Sequence, residues 1–164
     1  MWTSWHQAAR ITETQLDQIG YTDGQGLLDQ PRNLITVLPL RGIHTGTGAL
    51  IVEQARALKF DHFNFNITGT VLGIELRLNT QRLSRIQDNV IQLSTDQLLG
   101  ENRAVDSAED LQHYGSADDM WAIDSSVDFN SALFGVVVDL QPHKTIPSNN
   151  PAIIYNLDLR LWVV

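Results

Sequence analysis

Residues 71–79 read Val-Leu-Gly-Ile-Glu-Leu-Arg-Leu-Asn, and this stretch decides the fold class. From residue 74 onward, apolar side chains at even positions alternate with polar ones at odd positions: Ile74, Glu75, Leu76, Arg77, Leu78 and Asn79. Successive side chains of a strand point to opposite faces of a sheet. This period of two therefore predicts a strand with one buried face and one solvated face.

A second and longer alternation runs through the end of the chain, over residues 153–162. One face would carry apolar side chains, at Ile153, Tyr155, Leu157, Leu159 and Leu161. The other face would carry Ile154, Asn156, Asp158, Arg160 and Trp162. The pattern predicts another half-buried strand, with Tyr155 on its apolar face.

Four further segments are predicted strands: Leu34–Leu38, Leu58–Ile67, Asp88–Ser94 and Phe134–Leu140. The last contains three consecutive valines, which is typical of a central strand. The first ends before Pro39 and suits a sheet edge. Five phenylalanines are expected in the core: Phe60, Phe63, Phe65, Phe129 and Phe134.

Polar and glycine-bearing connections separate these segments, which predicts an all-β protein built as an antiparallel β-sandwich of jelly-roll or immunoglobulin-like topology. The N-terminal segment is less regular. Residues 5–19 suit either a short helix ended by Gly20 or an extended arm. We expect residues 1–33 to form an N-terminal arm or short helix with a loop, and residues 34–164 to form the sandwich.

Composition excludes several functional classes. The 164 residues carry a net charge of −8 and no cysteine, so disulfides, thiolate nucleophiles and zinc–thiolate sites are excluded. No basic stripe is present, so neither nucleic acid nor an anionic membrane is an expected partner. The N-terminus has no signal-peptide pattern, and no apolar run reaches the length of a membrane-spanning helix.

No motif indicates catalysis. The histidines are His6, His44, His62, His113 and His143, and none stands in a catalytic spacing. No serine lies in a Gly-x-Ser-x-Gly turn, and residues 42–48, although rich in glycine, lack the ending of a phosphate-binding loop. Adjacent carboxylates such as Glu109–Asp110 are expected to be solvated. We therefore predict that the protein is not an enzyme and has no catalytic residue.

No metal ligand or cofactor is predicted, although a calcium ion in residues 118–130 stays open. Hard oxygen ligands are frequent there: Asp118, Asp119, Asp124, Asp128 and Asn130. The ordered ligand spacing of a regular calcium loop is missing, however. A solvated acidic loop is the default interpretation.

The tryptophans near the chain ends are the candidate interface residues: Trp2, Trp5 and Trp162. Aromatic side chains are enriched at protein–protein interfaces, so Trp2 and Trp5 suit a docking arm. Folding back onto their own sandwich is the equally good alternative. On the first alternative, deletion of residues 1–10 should weaken assembly and leave the fold intact.

Several collinear blocks lie between residues 63 and 164: residues 73–78, 86–93, 100–104, 114–115, 119–121 and 134–138. In their order and spacing, they resemble β-sandwich virion proteins of tailed bacteriophages, particularly those of cyanobacteria and related marine phages. The resemblance supplies no catalytic residue, and it implies architectural roles for Asp88 and Trp121. Asp88 would cap the turn into a strand, and Trp121 would plug the end of the sandwich.

The resemblance implies a structural virion component that acts by protein–protein association, as a capsid decoration or as a tail-, baseplate- or fibre-associated protein. Its partners would be other virion proteins and copies of itself, in a homo-oligomer that could be a trimer. The protein would be made in the host cytoplasm and end in the virion. The alternative is a carbohydrate-binding, lectin-like module used in host attachment.

Overall fold

A computed structural model describes residues 1–15, 35–37, 56–82, 86–142 and 152–164. These residues form antiparallel strands and contain no helix, which confirms the predicted all-β class. The strands are β1 (His6–Gln7), β2 (Arg10–Gln15), β3 (Ile35–Val37), β4 (Arg56–Asp61), β5 (Val71–Arg82), β6 (Ile86–Ser94), β7 (Leu98–Leu99), β8 (Leu111–Ser116), β9 (Gly135–Pro142) and β10 (Ala152–Val163). Within the described ranges, no helix is long and apolar enough to cross a membrane.

The strands form two sheets packed as a sandwich. Sheet A has the order β1-β10-β5-β8, with β3 pairing β10 on the same edge as β1, and sheet B has the order β2-β4-β9-β6-β7. From β3 to β10, the order is that of a jelly roll: β3-β10-β5-β8 in one sheet and β4-β9-β6-β7 in the other. Of the two predicted topologies, the strand order therefore matches the jelly roll and not the immunoglobulin-like fold.

The paired strands β5 and β10 form the centre of sheet A. Leu76 lies opposite Leu159, and Ile74 lies opposite Leu161; all four side chains are fully buried. The alternation predicted for β5 is confirmed. For β10 it is wrong near Tyr155, because the register shifts between Ile154 and Asn156. This bulge reverses the phase, so Ile154 is buried and Tyr155 is 38% exposed.

Strand β9 is central in sheet B, as its valine run predicts. Val136 and Val138 pack into the core beside Ile91 and Leu93 of β6. Val137, on the opposite face of β9, is also fully buried. Burial of both faces explains why β9 reads as a continuous β-branched run rather than an alternation.

Strand β4 ends at Asp61, so the prediction of a strand continuing to Ile67 is wrong. His62 and Asn64 have φ angles of 58° and 56°, in the left-handed region that ends a strand. The segment after them leads from β4 in sheet B to β5 in sheet A. All five phenylalanines expected in the core are buried.

The N-terminal segment is extended where the structure describes it. The helical alternative for residues 5–19 is wrong over residues 5–15, which include β1 and β2. Strand β1 pairs β10 in sheet A, and β2 pairs β4 in sheet B. The predicted boundary between residues 33 and 34 lies outside the described residues.

Candidate functional site

The outer face of sheet A carries two cross-strand ion pairs. Arg160 lies opposite Glu75, and its Nε and Nη2 atoms lie 2.7 and 2.5 Å from Glu75 Oε2. Arg77 lies opposite Asp158 and donates from Nε and Nη2 to Asp158 Oδ2 at 3.0 and 2.6 Å. Both strands read carboxylate, leucine, arginine, so antiparallel pairing sets each charge opposite its complement.

Two tryptophans pack on these two arginines, and a third packs against one of those tryptophans. The ring centre of Trp5 lies 4.6 Å from Cζ of Arg77 and 4.3 Å from Cζ of Arg160. The ring centre of Trp2 lies 4.4 Å from Cζ of Arg160. Trp2 also meets Trp162 edge to face, with ring centres 5.3 Å apart and planes at 73°. We call these five residues the tryptophan–arginine stack.

Backbone pairing with β10 positions Trp2. Trp2 forms a bridge with Trp162, and the amide of Thr3 donates to the Leu161 carbonyl at 2.8 Å. The Met1 amine lies 2.5 Å from the Val163 carbonyl oxygen, to which it donates. Residues 1–3 therefore continue the edge of sheet A alongside β10, and this fixes the tryptophan over Arg160.

The structure brings all three candidate interface tryptophans into one cluster. Trp2, Trp5 and Trp162 fold back onto their own sandwich, and each is half-buried rather than enclosed. Their use as an interface stays a prediction. The roles of Arg77 and Arg160 are not among the predictions from sequence, although the matching charge order in the two alternating stretches was a signal for them.

A turn lies over the outer face beside Trp162. Gly73 pairs with Trp162, and a Cβ atom on Gly73 would overlap the backbone of Ala117. Glycine at this position therefore lets residues 116–119 cross the sheet. Asp118 in this turn is exposed, and its Oδ1 atom accepts a hydrogen bond from the Ser116 hydroxyl at 2.6 Å.

Asp88 and Trp121 lie inside the fold. The buried Asp88 carboxylate accepts hydrogen bonds from the amides of Val105 and Ser107, at 2.8 and 2.5 Å, and from the Tyr114 hydroxyl at 3.0 Å. Trp121 is fully buried and donates from Nε1 to the Ile74 carbonyl at 3.2 Å. These contacts are structural, and they leave Trp121 no surface for a ligand.

The carboxylates of residues 118–130 make mostly local hydrogen bonds. Asp124 accepts from the Ser126 amide at 2.7 Å, and this hydrogen bond lowers the pKa of Asp124. Asp128 accepts from the Asn130 amide at 3.0 Å. Among the residues that the structure describes, no group of three His, Asp or Glu side chains is arranged to hold a metal ion.

A buried polar cluster lies at the end of β4. Asp61 is fully buried and contacts Arg10, His62 Nδ1 at 2.8 Å and Lys59 Nζ at 3.7 Å. Hydrogen bonding to Asp61 raises the pKa of Arg10, whereas burial lowers the pKa of Lys59. His62 is therefore a hydrogen-bonded neighbour of this buried cluster.

Of the remaining histidines, the structure describes His6 and His113, which make separate contacts. His6 contacts the Phe63 carbonyl through Nδ1 at 3.0 Å, and His113 Nδ1 lies 3.6 Å from Glu75 Oε1. His44, His143 and the glycine-bearing residues 42–48 lie outside the described residues.

The contacts of residues 1–10 argue against a harmless deletion of this segment. Ala8 is buried, and Arg10 is the bidentate partner of the buried Asp61 carboxylate. Removal of the segment would strip a strand from sheet A and leave a buried charge without its strongest partner. Point substitutions in the stack are therefore the better probes of docking.

A scan against protein-family models matches no family, and searches of curated proteins and of solved structures find no match for this chain. Its function is therefore inferred from its own residues and from the sequence resemblance given above.

Proposed function

We propose that this protein is a structural component of a tailed-bacteriophage particle, acting by association with other virion proteins and with copies of itself. The role is that of a capsid decoration or of a tail-, baseplate- or fibre-associated protein. Two features support the proposal: the collinear blocks between residues 63 and 164, and the sandwich architecture that those blocks build.

The observation that carries the proposal is the tryptophan–arginine stack. Tryptophan and arginine are the residue types that contribute most to binding energy at protein interfaces. Here the guanidinium groups of Arg77 and Arg160 are held by carboxylates and by aromatic rings before any partner arrives. Preorganised side chains lose little conformational entropy on binding, so such a surface is suited to docking.

The partners include further copies of this chain. Particle proteins are repeated by symmetry, and a closed homo-oligomer, with a trimer as the favoured form, suits decorations and fibres. Light scattering coupled to size-exclusion chromatography of the purified chain measures this directly. The molar mass of a monomer at all accessible concentrations would contradict self-association.

The particle role is tested with phage particles assembled from the genome that encodes the chain. We expect electron cryomicroscopy to find the sandwich at symmetry-related positions, with sheet A facing a neighbour. Trp162→Ala should lower the number of copies per particle severalfold. The matched control is Val105→Ala, because Val105 is an apolar residue 63% exposed on a loop beside sheet B.

Circular dichroism of both variants establishes that each is folded before incorporation is compared. If Trp162→Ala lowers the thermal midpoint, Trp162→Leu retains an apolar contact and separates folding from docking. Particles that lack the chain, or equal incorporation of all variants, would reject the role.

The half-buried tryptophans also bear on the carbohydrate-binding alternative. A lectin stacks a sugar on an accessible aromatic face, whereas Trp2 and Trp5 already contact Arg160. Trp162 is the ring with no guanidinium contact among the described residues. A glycan array distinguishes the two functions: glycan binding that Trp162→Ala abolishes would favour the lectin.

A further inference from the structure

Residues 1–15 lie outside the jelly roll that the later strands form. Strands β3 to β10 give the eight-strand order by themselves, with four strands in each sheet. Residues 1–15 add a further edge strand to each sheet, because β1 pairs β10 in sheet A and β2 pairs β4 in sheet B. We call residues 1–15 the arm, and strands β3–β10 with their described connections the body.

The contacts between arm and body join residues that are far apart in the chain. Arg10 of the arm forms its bidentate ion pair with Asp61, and residues 1–3 hydrogen-bond to β10. Among the described residues, every strand pairing, hydrogen bond and ring contact that leaves the arm ends at residue 56 or later. The body of a second copy offers the same partners in the same geometry.

The junction of arm and body has the composition of an interface between proteins. Trp2 and Trp5 of the arm contact Arg160 of the body, and Trp5 also contacts Arg77. The Trp2 ring meets the Trp162 ring of the body as well. The tryptophan–arginine stack is therefore itself a contact between arm and body, made of the residue types that are enriched where two proteins meet.

The chain between the arm and the body is long enough to connect two copies. Residues 16–34, nineteen in number, separate the end of β2 from the start of β3 in the sequence. A segment of that length spans at most about 60 Å when fully extended. A domain of 164 residues has a radius of gyration of about 15 Å. This reach suffices for the arm of one copy to lie on the body of an adjacent copy.

We propose that copies of this protein associate by exchanging arms, so that residues 1–15 of one copy pair with β10 and β4 of its neighbour. This inference rests on the proposed function and names the surface through which copies associate. Exchange preserves the stack and the pair of Arg10 with Asp61, so the two forms differ mainly in how the arm is brought to the body. The chain's own arm is held at an effective concentration on the order of millimolar, and copies side by side in a particle reach a comparable local concentration.

The chain contains no cysteine, so engineered disulfides report arm exchange directly. Trp2 and Trp162 lie opposite each other, and one protein therefore carries Trp2→Cys while a second carries Trp162→Cys. The two proteins are unfolded together in urea, refolded at total concentrations from about 10 μM to about 1 mM, oxidised and separated on a non-reducing gel. A disulfide in the register of the fold joins the two proteins only when the arm of one lies on the body of the other.

We expect the disulfide-linked heterodimer to increase with protein concentration, with a midpoint on the order of millimolar. In the matched control, Leu111→Cys replaces Trp162→Cys. Leu111 is 51% exposed on β8 at the opposite edge of sheet A, so it reports random collision and should give severalfold less heterodimer. A second pair, Gln15→Cys with Arg56→Cys, repeats the test between opposed residues of β2 and β4 and leaves the stack intact.

Heterodimer yields equal to the control with both pairs, over the whole concentration range, would overturn the proposal. Failure of the broader function is distinguishable, because exchange is measured in solution and the particle role by incorporation. If the heterodimer forms but particles lack the chain, arm exchange stands and the particle role falls. If particles contain the chain but neither pair forms a heterodimer above the control, the particle role stands and copies associate through another surface.

Discussion

Arg10 and Asp61 form a bidentate ion pair between two neighbouring strands of sheet B. Arg10 Nε donates to Asp61 Oδ1 at 2.7 Å, and Arg10 Nη2 lies 2.5 Å from Asp61 Oδ2. The two residues face each other in the register of β2 and β4. The Asp61 carboxylate has no exposed surface, whereas the Arg10 side chain is 30% exposed.

Arg10→Gln should lower the free energy of unfolding by about 2–3 kcal/mol, because it leaves a buried carboxylate with weaker partners. Because Arg10 is partly exposed, we expect this loss to lie at or below the lower limit of the range for breaking a buried ion pair. Urea denaturation measures it. In the double variant Arg10→Gln/Asp61→Asn the loss should be smaller than the sum of the single losses, since the charge itself is gone. Additive losses would contradict a direct ion pair.

The Asp88 carboxylate should hold the loop of residues 102–107 in place. Asp88→Asn replaces one acceptor oxygen by a donor facing the Val105 and Ser107 amides and the Tyr114 hydroxyl, so we expect a loss of about 2 kcal/mol. Hydrogen exchange of the Val105 and Ser107 amides should accelerate more than exchange in β9. Asp124→Asn is the control, because Asp124 is exposed and accepts from the Ser126 amide. Unchanged exchange at Val105 would contradict the anchoring role.

Much of the sandwich follows from alternation, and its exceptions have identifiable causes. Strand β5 and the central place of β9 are readable in the sequence because their apolar side chains face the core regularly. Strand β8 (Leu111–Ser116) was missed, since only Gln112 and Tyr114 of its side chains are buried. The predicted strand extended beyond the end of β4 at Asp61. The left-handed turn at His62 contains no glycine that would have indicated it in the sequence.

The tryptophans of the candidate site could be predicted from the sequence, but their common surface and the two arginines could not. The interface propensity of tryptophan singled out Trp2, Trp5 and Trp162, but it could not show that they share one surface. That surface depends on residues 1–3 pairing with β10, a contact between opposite ends of the chain. Arg77 and Arg160 were harder to predict, because only the register of β5 and β10 places them in the tryptophan–arginine stack.

The planar guanidinium of Arg160 should stabilise the stack in a way that an ammonium group does not. Arg160→Lys keeps the charge beside Glu75 but loses planar contact with Trp2 and Trp5, so we expect a loss of about 1 kcal/mol. Thermal and urea unfolding measure the loss. In a Trp5→Ala background the same substitution should cost less, because one ring has already gone. An equal cost in both backgrounds would mean that Trp5 does not contribute.

The buried Lys59 should make stability depend on alkaline pH. Its side chain is 2% exposed, its Nζ atom donates to the Thr95 carbonyl, and burial lowers its pKa from the ordinary value of 10.5. Between the lowered folded-state pKa and 10.5, the unfolded chain binds more protons than the folded chain. The contribution of Lys59 to the free energy of unfolding therefore increases with pH between these two pKa values. The increase is complete above pH 10.5.

The measurement is urea denaturation at several pH values for the native chain and for Lys59→Met, which keeps the length of the side chain and removes its proton. Tyrosines and the other titrating groups contribute to both proteins, so the difference between the two curves isolates Lys59. We expect that difference to shift in favour of the native chain as pH increases toward 10.5. Parallel curves would show that Lys59 titrates alike in the folded and unfolded chains, so that its interaction with Asp61 would fully offset the cost of burying its ammonium group.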